Sequence, residues 1–202
     1  MDFENLPWPN KDDDLLELGD DWKNNATLNY SSDELNIYSE GYKQAGDILS
    51  KRLQKNRNGL DFLVYPLIFL YRHHIELELK IIVKEGSYLL DGERIMRNHH
   101  KLNNLWDDTK KIIEKIWPDG DKNDLSSVEK TVLQLSDLDP SSFAFRYDRD
   151  KDGNKPNPDL KHIDIKKFSE VVNNISAFFD GVGTAISVYI EHQEDMKRDF
   201  SP

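Results

Sequence analysis

The chain has 202 residues, 37% hydrophobic and 32% charged, with a formal net charge of −11 and no cysteine. That length suits about one domain with a proper core, and the missing cysteine excludes disulfide frameworks, thiol nucleophiles and thiolate zinc sites. The acidic balance opposes an extended nucleic-acid-binding face, which needs clustered lysine and arginine.

The charge is uneven. The first 21 residues hold eight acids and only Lys11 as a base, so the remainder is mildly acidic and leaves room for a local basic pocket. The opening MDFENLPWPNKDDD lacks the basic start and apolar middle of a signal peptide, and no apolar run reaches bilayer length free of charge. A cytoplasmic protein that does not engage a membrane is expected.

Residues 1–28 read as a polar, poorly periodic acidic arm, with Trp8 and Trp22 suggesting that parts of it dock on the body. Residues 29–196 read as a single helical domain. Ser31-Ser32-Asp33-Glu34 predicts an N-cap, and Leu35, Ile37, Tyr38, Tyr42, Ala45, Ile48, Leu49 and Leu53 then recur at helical spacing. Residues 56–59 end that helix. A second helix is predicted from Leu60 to Lys84, with Pro66 kinking it or marking its first turn and Gly86 ending it. Residues 86–99 form a connection. A third helix runs from His100 to Trp117 and a fourth from Asp124 to Ser136. FAFRY (Phe143–Tyr147) alternates like a strand, DKDGNKPN turns, and LKHIDI could return, so a small β-hairpin is predicted there. The last helix, Ile165 to Gln193, is amphipathic, with Gly181 and Gly183 allowing close approach of a neighbour. The expected fold is all-α: a bundle of about five helices with a small β-hairpin before the long C-terminal helix.

The chemistry concentrates in YRHHIELELK, Tyr71 to Lys80. Arg72, Glu76 and Lys80 fall at i, i+4, i+8, and His73, Glu76 and Lys80 at i, i+3, i+7, so one helical stripe holds Arg, His, Glu and Lys together. Interior charges persist only when paired. The stripe is therefore either a structural ion-pair network or the floor of a site in which His or Glu acts as base and Arg or Lys holds an anion. His99 and His100 precede the third helix, and only one of them can face inward. A neutral base or a capping and packing role both suit a histidine there. Arg146, between Phe145 and Tyr147, reads as an outward hydrogen-bonding group or an anion clamp. Asp148, Asp150, Asp152 and Gly153 resemble the start of a calcium loop, but Pro156 and Pro158 intervene and no helices flank it, so an acidic turn is favoured. No metal-site spacing, phosphate-cradling glycine loop or GxSxG motif is present, and neither a metal nor a cofactor is expected.

YRHHIELELK, HHKLNNLW (His99–Trp106) and LDPSSFAFRYDRD (Leu138–Asp150), followed by a long terminal helix, together resemble a bacterial branch of the HEPN-like (higher eukaryotes and prokaryotes nucleotide-binding) family, over roughly residues 60–195. The resemblance implies a helical bundle, a homodimer, and one of two activities. The first is a metal-independent endoribonuclease or toxin of a defence or toxin–antitoxin system, with RNA as substrate and a cognate antitoxin or regulator as partner. The second is a non-catalytic module that binds a nucleotide-like or other small anion, or a protein. The nuclease members, as the resemblance has it, pair Arg with a His across four to six intervening residues. Here Leu77 fills that place after Arg72, while Arg94 to His99 or His100 has the spacing with Ile95 where a polar residue belongs. The site expected from stripe and resemblance together is Arg72, His73, Glu76, His100 and Arg146 as catalytic groups, with Lys80 and Tyr147 as ligand contacts. A third expectation is a structural partner protein whose acidic arm covers a basic surface elsewhere.

Overall fold

In the computed structural model, residues 8–199 are described. Contacts divide the chain into two units, Met1–Glu34 and Leu35–Pro202. In the first, the backbone is tied down by its own polar side chains. Asp14 Oδ1 accepts the Leu16 N–H, Asn25 exchanges two bonds with the Gly19 backbone, and Asp21 caps a single 3-10 turn, Trp22–Asn24. Acidic and amide side chains that bond the backbone two residues on compete with helix, which is why this stretch has no periodic element.

The second unit is helical: α1 (Glu34–Lys55), α2 (Leu60–Asp91), α3 (Leu102–Ile116), α4 (Lys122–Leu138) and α5 (Ile165–Asp199). α2 is the central element, packed along α5 and α3, while α4 lies on α3 and touches α5. Its residues Leu67, Tyr71, Ile75, Leu79 and Ile82 are buried at helical spacing and meet Trp106 of α3 and Phe179 of α5, whose rings stand 6.3 Å apart. Each fully buried side chain of this size contributes about 1.5–3 kcal/mol, so this apolar seam holds the bundle.

α1 is attached differently. Its buried residues are Ser39, Gly46, Ser50 and Leu53, three of them small. Tyr71 donates its hydroxyl to Asp47 at 2.8 Å, Ser50 meets Ser169 of α5 at 2.7 Å, and Gly46 admits the Tyr71 ring.

Several expectations change. α2 does not stop at Gly86 but runs on to Asp91, ending at Gly92 in the left-handed region with φ 79°. Gly86 is instead a packing position, where an added Cβ would lie 2.4 Å from Ile112 Cγ2. Pro66 sits inside the helix, as its seventh residue. α3 begins at Leu102, so His100 belongs to the extended segment before it. Gly181 and Gly183 face open space rather than a neighbour.

The β-hairpin is not formed, and the described residues contain no strand. The N–H groups of Phe143 and Ala144 both go to the Asp139 carboxylate, at 2.7 and 3.0 Å, and those of Arg146 and Tyr147 turn back to the Phe143 carbonyl. With these donors taken locally, no ladder can form.

Candidate functional site

The middle of α2 carries four ionisable groups through the apolar seam, and their partners come from outside the helix. Arg72 and Glu76 are both 0% exposed. One branch of the guanidinium, Nη1, donates to Glu76 Oε2 at 2.7 Å, Nη2 donates to the His100 carbonyl at 2.7 Å, and Nε donates to the Asp139 carbonyl at 3.2 Å. Lys80 donates to Glu76 Oε1 at 2.8 Å, and His100 Nδ1 lies 2.6 Å from the same oxygen. Burial alone pushes the Glu76 carboxyl up. The hydrogen bonds from Lys80, His100 and Arg72 outweigh it and hold the group down at about 2. Glu76 is therefore ionised at neutral pH and can only accept, which places the proton of His100 on Nδ1. Its Nε2 has no hydrogen-bond partner among the described residues, and the side chain is 61% exposed.

The sequence-predicted residues thus fall into two groups. Arg72, Glu76 and Lys80 form a buried scaffold whose hydrogen bonds are spent inside the protein. His73, His100, Arg146 and Tyr147 are the groups at or near the surface. His73 stacks on Phe69 at 5.9 Å and receives the edge of Tyr42 at 4.4 Å; burial pushes its pKa down. Arg146 lies over Phe69 at 5.5 Å and over Tyr147 at 5.6 Å, with Nε fixed by the Ser142 carbonyl at 2.6 Å. Phe69 joins Arg146 to His73, and the charge of His100 is near enough to be felt at His73. Beside Arg146 a cavity of about 740 Å³ opens, lined also by Tyr65, Tyr147, Lys155, Lys161 and His162.

His99 buries Nδ1 without a hydrogen-bond partner. Arg94, the other arginine at nuclease spacing from the histidines, is held by Glu85 at 3.0 Å and stacks on Tyr88 at 3.9 Å. Among the described residues no group of three or more His, Asp or Glu side chains is arranged to hold a metal ion.

Two features were missed in the sequence. Asp139, fully buried, has Oδ2 3.3 Å from Arg72 Nε and stabilises the turn that carries Arg146. The only signal for it was an acid ahead of Pro-Ser-Ser, a common turn opening. On the opposite side of α2, His74 is buried between Ser39 and Ser176, with Nε2 2.8 Å from Ser176 Oγ and Nδ1 3.2 Å from the Ser39 carbonyl. Burial pushes its pKa down to about 4. Ser39 also donates to Glu78 at 2.5 Å, and Tyr71 and His74 floor a polar groove of about 600 Å³ between α1 and α5. Serines at inward positions of α1 and α5 were its sequence signal.

No protein-family model, curated protein or solved structure matches the chain.

Proposed function

We propose that this protein is a HEPN-like helical module that binds a small phosphate-bearing, nucleotide-like anion over His100, His73 and Arg146. The observation that carries this reading is the Glu76–His100 contact. A buried carboxylate, neutralised by Arg72 and Lys80, grips one nitrogen of His100 and leaves the other for a ligand. Arg72 and Lys80 balance Glu76 and Asp139, so the scaffold is neutral while His100 is neutral. Protonating His100 adds one positive charge where a phosphate oxygen can reach it, and Arg146 offers its outer nitrogens as a second anchor. Tyr65 and Tyr147 give the adjoining cavity flat apolar faces suited to a planar ring.

Titration with adenosine 5′-monophosphate and with inorganic phosphate, followed on the His100 and His73 ring resonances, tests this. Both rings move, and His100→Ala or Arg146→Ala weakens binding at least about tenfold, the loss of one charge-assisted contact. Rings that stay still at millimolar ligand refute the proposal.

The same contact also favours a second reading, metal-independent cleavage of RNA. Held by a buried carboxylate through Nδ1, His100 is an oriented base. Its Nε2 would take the proton of a ribose 2′-hydroxyl as that oxygen attacks the adjacent phosphorus, the P–O5′ bond breaks with the 5′-oxygen taking a proton from water, and a 2′,3′-cyclic phosphate forms, with Arg146 facing the phosphorane oxygens. Arg72, fully enclosed, would act as a positioning residue. RNA cut in EDTA by the intact protein but not by His100→Ala supports this reading; RNA left whole removes it.

A further inference from the structure

We propose that Asp139 couples the two ends of this site, so that protonation at His100 and the order of the turn bearing Arg146 change together. The inference rests on the reading of His100 and Arg146 as one anion site, and it names how that site is regulated.

Three segments distant in sequence meet at one guanidinium. α2 supplies Arg72 itself, and the strand-like segment before α3 supplies the His100 carbonyl. The C-terminal cap of α4 supplies Asp139, whose carbonyl accepts from Arg72 Nε at 3.2 Å. The two oxygens of the Asp139 carboxylate are used unequally. Oδ1 accepts the N–H groups of Phe143 and Ala144, which shape the turn leading to Arg146. Oδ2 is buried without a hydrogen bond, yet stands 3.3 Å from Arg72 Nε. A carboxylate with one saturated oxygen and one idle oxygen facing a cation can redistribute its hold between them.

The charged and titratable groups facing this junction are Arg72, His73, Glu76 and Lys80 of α2, His100 ahead of α3, and Arg146 of the turn itself. With His100 neutral, two cations share Glu76. Once His100 is protonated, three do, and Arg72 is pressed toward its other anion, Asp139. The carboxylate then leans to Arg72, and its grip on the Phe143 and Ala144 amides relaxes. Linkage makes the effect mutual: whatever orders the turn changes the proton affinity of His100, and the reverse.

An amide NMR titration of the full chain between pH 5 and 8 tests this without any substitution. The Phe143 and Ala144 amide signals are expected to move with the midpoint of the His100 ring. Asp139→Asn keeps the side chain's size but removes its charge, leaving the junction one positive charge in excess. That variant lowers the His100 midpoint by roughly half a pH unit, the effect of one nearby charge, while the Trp106 ring signals stay in place. Amides that do not move, or that follow a different midpoint, overturn the proposal, and so does an Asp139→Asn protein with an unaltered His100 midpoint. If that variant does not fold, the unsubstituted titration decides alone. A wild-type protein whose rings ignore inorganic phosphate but whose amides follow His100 refutes the binding reading and leaves the coupling intact, so the two failures are distinct.

Discussion

Glu76 shows how much one buried carboxylate can organise when both of its oxygens are engaged. Removing its charge strands Arg72 and Lys80 in the interior, and breaking a buried pair from one side is far more destabilising than breaking an exposed one. Glu76→Gln should therefore lower unfolding stability by about 3 kcal/mol in urea titrations. His100→Ala, at the exposed end of the same network, should change stability by no more than about 0.5 kcal/mol while removing anion binding. The pH dependence follows from the depressed carboxyl. Its folded pKa of about 2 lies below the ordinary 4.5, so its contribution is complete above pH 4.5 and is lost as pH falls toward 2. His74 acts earlier. It is held neutral with a pKa of about 4 against 6.5, so its stabilisation is complete above pH 6.5 and disappears between there and pH 4. Glu78 and Asp180 oppose it in part: burial raises both carboxyls, and what they add is lost as pH rises. Acid titration of stability, with His74→Gln flattening the loss between pH 6.5 and 4, checks this assignment.

Among the helices, α2 was the most legible and also the most misjudged. Its apolar period and its embedded charges were plain in the sequence, because helical spacing alone puts Arg72, Glu76 and Lys80 on one stripe. Its end was not. Gly86 looks like a terminator, yet its reason is the side chain of Ile112 in another helix, and no local pattern announces a contact across the bundle. Gly86→Ala should destabilise the fold by about 1–3 kcal/mol, the usual range for overpacking, since Ile112 Cγ2 is branched close to its backbone and cannot swing aside. Gly46→Ala places a methyl 2.7 Å from the Tyr71 ring and should act on α1 in particular. Hydrogen exchange would show α1 amides opening faster while α2 and α5 stay protected, because α1 is fastened mainly by hydroxyl hydrogen bonds with little apolar burial. The failed hairpin has the same origin as Gly86. Alternation in Phe143–Tyr147 is a genuine strand signal, and a carboxylate buried in the preceding helix cap overrode it.

Taken whole, the protein carries −11 against the short strip of the proposed anion site, where Arg146 is the standing cation, and those two charges act over different ranges. A long polyanion feels the total charge; a single phosphate feels the strip within a Debye length of about 8 Å. Binding of a mononucleotide should weaken only modestly with salt, with a log–log slope on the order of −1 because one phosphate is engaged. Long RNA should show no comparable affinity in fluorescence anisotropy at physiological ionic strength. The all-helical class was readable from residue order. Which of the charged groups would be enclosed and which open was not, since enclosure is decided by segments far apart in the chain, with Asp139 lying 67 residues from Arg72. No helix among the described residues is long and apolar enough to cross a membrane.

His73 and His74 are neighbours in the chain, yet α2 turns by about 100° between them, so one joins the Phe69 stack and the other enters the serine-lined groove. Two polar centres are thereby keyed to the same screw thread. Adding or deleting a single amino acid between Leu70 and His73 would turn both side chains through that same angle and throw both centres out of register at once. Natural variants of this chain should accordingly gain or lose residues freely in the exposed turn around positions 149–154, and never along that stretch of α2.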